Sequence, residues 1–205
     1  MASDAELVVM WADGDAAAGR AFYAVYAQRI TRFFAHKVGQ DAADLVQTTF
    51  LKALDATRSG DRPDHVGAWL FTIARNVLYD FFRAKKRYGD RFTPAQTSLA
   101  DLETGASGQL ARHEDRRLLM MAIRQLPIEQ QLALELYYWE GLGMEHVAQV
   151  LGVTRSAALN RVHRARARLR EALTELADSP AQLSDTVSGF DTWAMSVRGE
   201  LPPDV

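Results

Sequence analysis

Gly141–Arg170 reads GLGMEHVAQVLGVTRSAALNRVHRARARLR. Val147, Ala148 and Leu151 fall on one face of a short helix predicted over Met144–Leu151. Gly152 follows, the residue type that accepts the positive φ of a sharp turn. A second helix is predicted from Thr154, whose hydroxyl can accept a bond from an orphan backbone N–H. On it Ala158, Val162, Ala165 and Leu169 recur at helical spacing as one apolar stripe. Ser156, Asn160 and His163 take the opposite side, ringed by Arg155, Arg161, Arg164, Arg166, Arg168 and Arg170. Six arginines against the single acid Glu145 leave the segment at +5. A solvated surface helix would share the stripe and the charge. The small Ala148, the turn at Gly152 and the inward Ala158 at the required spacing point instead to a helix-turn-helix with its second helix reading a major groove.

Upstream of this motif a helix is predicted over about 112–125, with Leu119, Ala122, Ile123 and Leu126 inward. Pro127 then opens another that runs to Glu140, at a position where Pro is tolerated. Between Tyr88 and Leu110 the periodicity dissolves into Gly, Ser, Thr and Pro at a charge of −2, which reads as a linker. Before it come four helices. Ser3 and Glu6 have the spacing of a capping box for the first. The second runs from Asp15 to Val38, with Phe22, Val25, Tyr26, Ile30, Phe33 and Phe34 on its buried face, and stops at Gly39. Asp41 is expected to cap the third, whose Val46, Phe50, Ala53 and Leu54 point inward. A turn-rich loop, Thr57–Gly67, leads to the fourth, Ala68 to about Arg87, packed through Leu70, Ile73, Ala74, Val77 and Phe81. No strand-like alternation stands out. The expected fold is all-α: a helical domain over 1–88, a linker over 89–111, a helix-turn-helix domain over 112–177 and a tail over 178–205.

The outer face of the fourth helix carries a second stripe. Thr72, Asn76, Tyr79, Arg83 and Lys86 recur at helical spacing, and Arg75–Arg87 holds five cations against Asp80. An aromatic that stacks, an amide that reads a base edge and cations that follow phosphate suit unpaired nucleic acid. C-terminal cations that merely complement the helix dipole would look similar.

Composition narrows the setting. The chain has 205 residues and no cysteine, which excludes disulfides and thiolate metal sites and fits a reducing cytoplasm. Its five histidines form no ligand pair at helical spacing, so neither a metal nor a cofactor is expected. No apolar run approaches a membrane span, and MASDAELVV lacks the features of a signal peptide. A net charge of −2 is low for a protein that binds DNA unaided, since phosphate neutralisation drives much of the affinity. DNA contact shared with a larger partner follows.

Both halves together resemble the extracytoplasmic-function sigma factors of bacterial RNA polymerase. WLFTIARNVLYDFFRAKKR (Trp69–Arg87) resembles their −10-melting segment, and DAADLVQTTFLKAL (Asp41–Leu54) their polymerase-clamp segment. LPIEQQLALELYYWEGLGMEHVAQVLGV (Leu126–Val153), continued by RVHRARARL (Arg161–Leu169), resembles their −35-binding region. The resemblance implies that Asp44 and Gln47 grip the polymerase. It implies that Arg58, Asp61 and His65 of the loop, with Thr72, Asn76, Tyr79, Arg83 and Lys86, hold the unpaired −10 strand. It also implies that Arg155, Ser156, Leu159, Asn160, His163 and Arg164 read the −35 duplex. Polymerase core and promoter DNA are the implied partners, and an anti-sigma factor is a further one that the resemblance admits. Thr48 stands where the family usually has Glu, and Ala157, Ala158 and Leu159 replace the usual Thr-Val-Lys.

The tail, Asp178–Val205, departs furthest. Five acids against Arg198 give it −4, and Phe190, Trp193 and Met195 offer apolar anchors for folding back on a DNA-reading face. A disordered acidic tail that aids solubility would have the same composition. The expected function is a promoter-specificity subunit with no catalysis of its own. A stand-alone helix-turn-helix regulator, active as a dimer, is the alternative, and the stacking stripe argues against it. A small hydrolase using Asp41 and Asp44 lacks any convergent acid–base constellation.

Overall fold

The computed structural model describes residues 2–85, 92–99 and 114–176. Among them every regular element is helical, and a lone bridge between Ser98 and Pro127 is the nearest thing to a strand. The described residues fall into two compact units, one up to Lys85 and one beyond it.

The first unit is built from four helices. Helix α1, Asp4–Ala12, opens on the expected capping box: Ser3 N–H donates to Glu6 Oε2 at 2.7 Å, and Glu6 N–H donates to Ser3 Oγ at 3.3 Å. Those bonds favour the ionised Glu6 and hold its carboxyl below the usual range. Helix α2, Ala16–Val38, is capped by Asp15, whose Oδ1 accepts from Ala17 and Ala18 at 2.8 and 3.0 Å. Phe22, Tyr26, Ile30, Phe33 and Phe34 form its buried stripe. Two contacts fix α1 on α2. The Tyr26 hydroxyl donates to Asp4 Oδ2 at 2.6 Å, and burial followed by that carboxylate pushes the phenol upward. Trp11 lies against Gly19, where an added Cβ would come within 2.3 Å of the indole. Helices α3, Ala42–Arg58, and α4, Val66–Lys85, complete the unit.

Several details differ from expectation. Val25 stands 46% exposed at the edge of the α2 stripe rather than inside it. On α4 the buried set includes Phe71, Leu78 and Phe82 beside Leu70, Ala74 and Val77, while Ile73 and Phe81 are half-buried. Asp41 does not cap α3 through its side chain. A short 3-10 turn, Gly39–Asp41, precedes that helix and leaves Asp41 helical rather than extended, and its carboxylate accepts from Lys85 Nζ at 2.8 Å instead. Lys37 is fully buried, its ammonium 4.2 Å from the Phe33 ring centre and donating to the Phe33 carbonyl.

The second unit contains α5, Glu114–Gln125, α6, Ile128–Leu134, α7, Met144–Leu151, and α8, Arg155–Leu176. The helix opened by Pro127 does not run evenly to Glu140. Over Glu135–Trp139 it widens into a π-turn, closed by Glu140 N–H on the Glu135 carbonyl at 2.9 Å. The wider turn lets Glu135, Leu136, Tyr138 and Trp139 all be buried.

Part of the expected linker is packed. Within 92–99 the carbonyls of Thr97 and Pro94 accept from Ile128 N–H and Glu129 N–H, at 2.9 and 3.2 Å. The first turn of α6 has orphan donors, and this segment supplies their acceptors. Backbone capping of this kind leaves no periodicity in the sequence. Thr97, Ser98 and Leu99 are buried accordingly.

Candidate nucleic-acid and polymerase interfaces

The helix-turn-helix forms as its sequence predicts. Gly152 takes φ 67°, and Val153 N–H reaches back to the Ala148 carbonyl at 3.0 Å, closing α7 in a Schellman turn. Thr154 Oγ1 accepts from Ala157 N–H at 3.2 Å and caps α8. Ala158, Val162, Ala165 and Leu169 are buried, and α8 packs through them on α5, α6 and α7. That contact leaves Arg155, Ser156, Leu159, Asn160, His163 and Arg164 exposed in one patch. Arg155 reaches Glu145 at 3.1 Å, an exposed pair that phosphate can displace at little cost. Arg161 behaves differently. It turns inward to Glu129 at 2.7 Å, and both side chains are about four-fifths covered. It holds α8 to α6 and is not part of the exposed patch.

In the first unit α4 carries the second set. Asn76 is exposed, and its Oδ1 accepts from Arg75 Nη2 at 2.8 Å. The same guanidinium lies 5.7 Å from the Tyr79 ring centre. Amide, cation and aromatic thus form one continuous strip. The Thr72 hydroxyl donates to the Ala68 carbonyl at 2.8 Å, so it is turned on its own helix. Arg83 pairs with Asp80, which also receives Lys52 at 3.5 Å. Lys86 lies outside the described residues, as do Phe190, Trp193 and Met195 of the tail.

The loop before α4 is more ordered than its turn-forming composition suggests. Arg62 donates to the carbonyls of Thr57 and Asp61, both at 2.8 Å. Trp69 Nε1 donates to Asp61 Oδ2 at 3.3 Å, so Asp61 braces the loop against α4. His65 Nδ1 accepts from Ala68 N–H at 3.0 Å, so the imidazole caps the start of α4. Arg58 reaches the Ala12 carbonyl at 3.3 Å. Arg62 and Trp69 escaped the sequence reading because a helical stripe carries no information about which side chains tie a loop down.

A third surface lies on α2 and α3. A groove of about 460 Å³ is lined by Trp11, Tyr23, Val46, Gln47, Phe50 and Leu51, among others. Tyr23 and Leu51 are 50% and 53% exposed and line the same groove, so together they leave an apolar surface open to solvent. Gln47 is on its rim, and Asp44 is exposed one turn away on α3. Tyr23 and Leu51 were missed because each lies beside the buried stripe of its helix, and spacing alone does not mark such a position as the wall of a groove. Among the described residues no group of three or more His, Asp or Glu side chains is arranged to hold a metal ion. None of the described helices is long and apolar enough to cross a membrane.

The Sigma-70 region 2 family matches residues 22–88, and the Sigma-70 region 4 family matches residues 116–169. RNA polymerase sigma factor CarQ of Myxococcus xanthus is 33% identical over 168 residues, covering 80% of this chain and 94% of CarQ. ECF RNA polymerase sigma factor BldN of Streptomyces coelicolor is 30% identical over 165 residues, and the match spans 78% of this chain but 62% of BldN. Among solved structures, the sigma factor RpoE of Bartonella quintana, in complex with the anti-sigma factor NepR, superposes with a TM-score of 0.54 at 27% identity. That superposition covers 75% of this chain and 95% of RpoE.

Proposed function

This chain belongs to the extracytoplasmic-function sigma factors, the promoter-specificity subunits of bacterial RNA polymerase, and we propose how its surfaces divide that work. The α8 patch reads the −35 element as duplex. The Asn76–Arg75–Tyr79 strip and the braced loop hold the unpaired −10 strand. The α2–α3 groove, with Gln47 on its rim and Asp44 beside it, engages the polymerase core.

The observation that carries this reading is that each unit bears a surface of its own chemistry. The α8 patch is polar and cationic and projects from a helix seated on three others, which suits a major groove. The α4 strip offers an exposed amide and a half-covered aromatic, which suits bases that have left the stack. A stand-alone regulator of duplex DNA uses the first surface and has no need of the second.

Because an anti-sigma factor holds the similar RpoE, a protein of that class is the further partner proposed for this chain. The tail, which lies outside the described residues, is proposed to restrain DNA binding by the free chain.

The test is promoter binding with and without core polymerase. The chain alone should bind duplex promoter weakly, in keeping with its net charge of −2, and core enzyme should make binding tight and specific. Nanomolar, sequence-specific binding by the chain alone at physiological salt would favour the regulator.

A further inference from the structure

Leu159 is the one large apolar side chain that α7 and α8 leave in solvent, at 52% exposure. It lies one turn beyond Arg155 and Ser156 and one turn before His163, inside the polar patch of α8. Nothing in the packing of the helix calls for a leucine there, since Ala158 and Val162 already supply the buried contact. We propose that Leu159 is a specificity-determining residue that reads the C5-methyl group of a thymine in the −35 element.

This rests on α8 being the −35 reader and adds which base it selects. A major groove presents donors and acceptors at almost every position, and thymine alone adds a methyl group. A single apolar side chain surrounded by Arg155, Ser156, Asn160 and His163 matches that pattern: one apolar contact within a hydrogen-bonding field. A protein partner fits less well. Protein interfaces bury hundreds of Å² around a contiguous apolar centre. The neighbours of Leu159 on the α8 face are cationic or polar, so no such centre surrounds it. The surrounding arginines also favour phosphate over an apolar protein surface.

The experiment uses the full chain with core polymerase and a promoter whose −35 element has been selected from randomised sequence. Each thymine of that element is replaced singly by uracil, which removes one methyl group and keeps every hydrogen bond. With the unaltered chain, uracil at one position should weaken binding by about three- to fivefold, the worth of roughly one buried methyl. With Leu159→Ala that position should lose its sensitivity, while the preferences at neighbouring bases persist. Leu159 is exposed, so the variant keeps its fold. Equal uracil sensitivity in both proteins, or none in the unaltered chain, overturns the proposal. If Leu159→Ala instead changes binding only when the 178–205 tail or an anti-sigma protein is present, Leu159 is a protein contact and the proposal is again wrong. Failure of the underlying reading looks different: the selection would then return no preferred −35 sequence at all.

Discussion

Arg161 on α8 and Glu129 on α6 form an ion pair at 2.7 Å, with side chains only 22% and 21% exposed. Its other terminal nitrogen, Nη1, is buried without a hydrogen-bond partner. One of the six arginines that give the helix-turn-helix its charge is therefore a strut and not a phosphate ligand. Removing one partner of such a pair strands the other charge in a poorly solvated place.

Glu129→Gln should lower the stability of the second unit by about 1–3 kcal/mol, less than a fully buried pair would lose. Chemical denaturation of the full chain, followed by a probe in that unit, measures this. Arg161→Gln should act in the same direction and leave the salt dependence of DNA binding unchanged. Arg164→Ala should do the reverse: no loss of stability, and a salt slope smaller by about one. If both arginine variants shift the slope alike, the strut assignment is wrong.

Polymerase affinity should depend on the apolar rim as well as on the polar pair. The Tyr23 ring centre lies 4.8 Å from that of Phe50, the planes tilted by 49°, and Leu51 stands more than half exposed in the same groove. Leu51→Ala should weaken binding to core enzyme by about tenfold, the effect of a central interface residue, with under about 0.5 kcal/mol lost from the fold. Asp44→Ala combined with Gln47→Ala should also weaken it. Unchanged core affinity in both variants would move the polymerase contact elsewhere.

The strip on α4 makes a claim about single strands. Tyr79→Ala should reduce affinity for a promoter already unpaired over the −10 element by about tenfold, the usual worth of one stacked base. Asn76→Ala should slow open-complex formation more than initial recruitment, and its deficit should persist on the unpaired template. Full rescue there would limit Asn76 to melting.

Deleting 178–205 should raise DNA binding by the free chain, most clearly at low salt, because the segment carries −4 against a +5 recognition motif. Binding unchanged at low salt would remove self-masking. Loss of transcription with the fold intact would make the tail a positive element.

Much of this was legible in the sequence, and the reasons differ from element to element. The apolar stripe of α8 and the turn at Gly152 are local: one depends on periodicity and the other on a φ of 67° that only glycine takes cheaply. The caps at Ser3 and Thr154 are local too. What escaped is what depends on a second element. Asp41 reads as a cap until Lys85 arrives from α4, and Arg161 reads as one more member of a cationic ring until Glu129 arrives from α6. The loop residues Arg62 and Trp69 owe their roles to carbonyl and carboxylate acceptors that no spacing reveals. Segment 92–99 looked unstructured because the backbone carbonyls that cap α6 leave no mark in the sequence.

Gly19 has no side chain to offer any partner, and it faces Trp11 rather than solvent. Yet Trp11 also forms a wall of the α2–α3 groove. A methyl group at position 19 would stand 2.3 Å from Trp11 Cδ1, far inside van der Waals contact, so the indole and with it that wall of the groove must shift. The shape of the groove thus depends on a residue that is not part of its lining. A screen for chains that fold but no longer compete for polymerase would return position 19, and a map of surface contacts would not explain why.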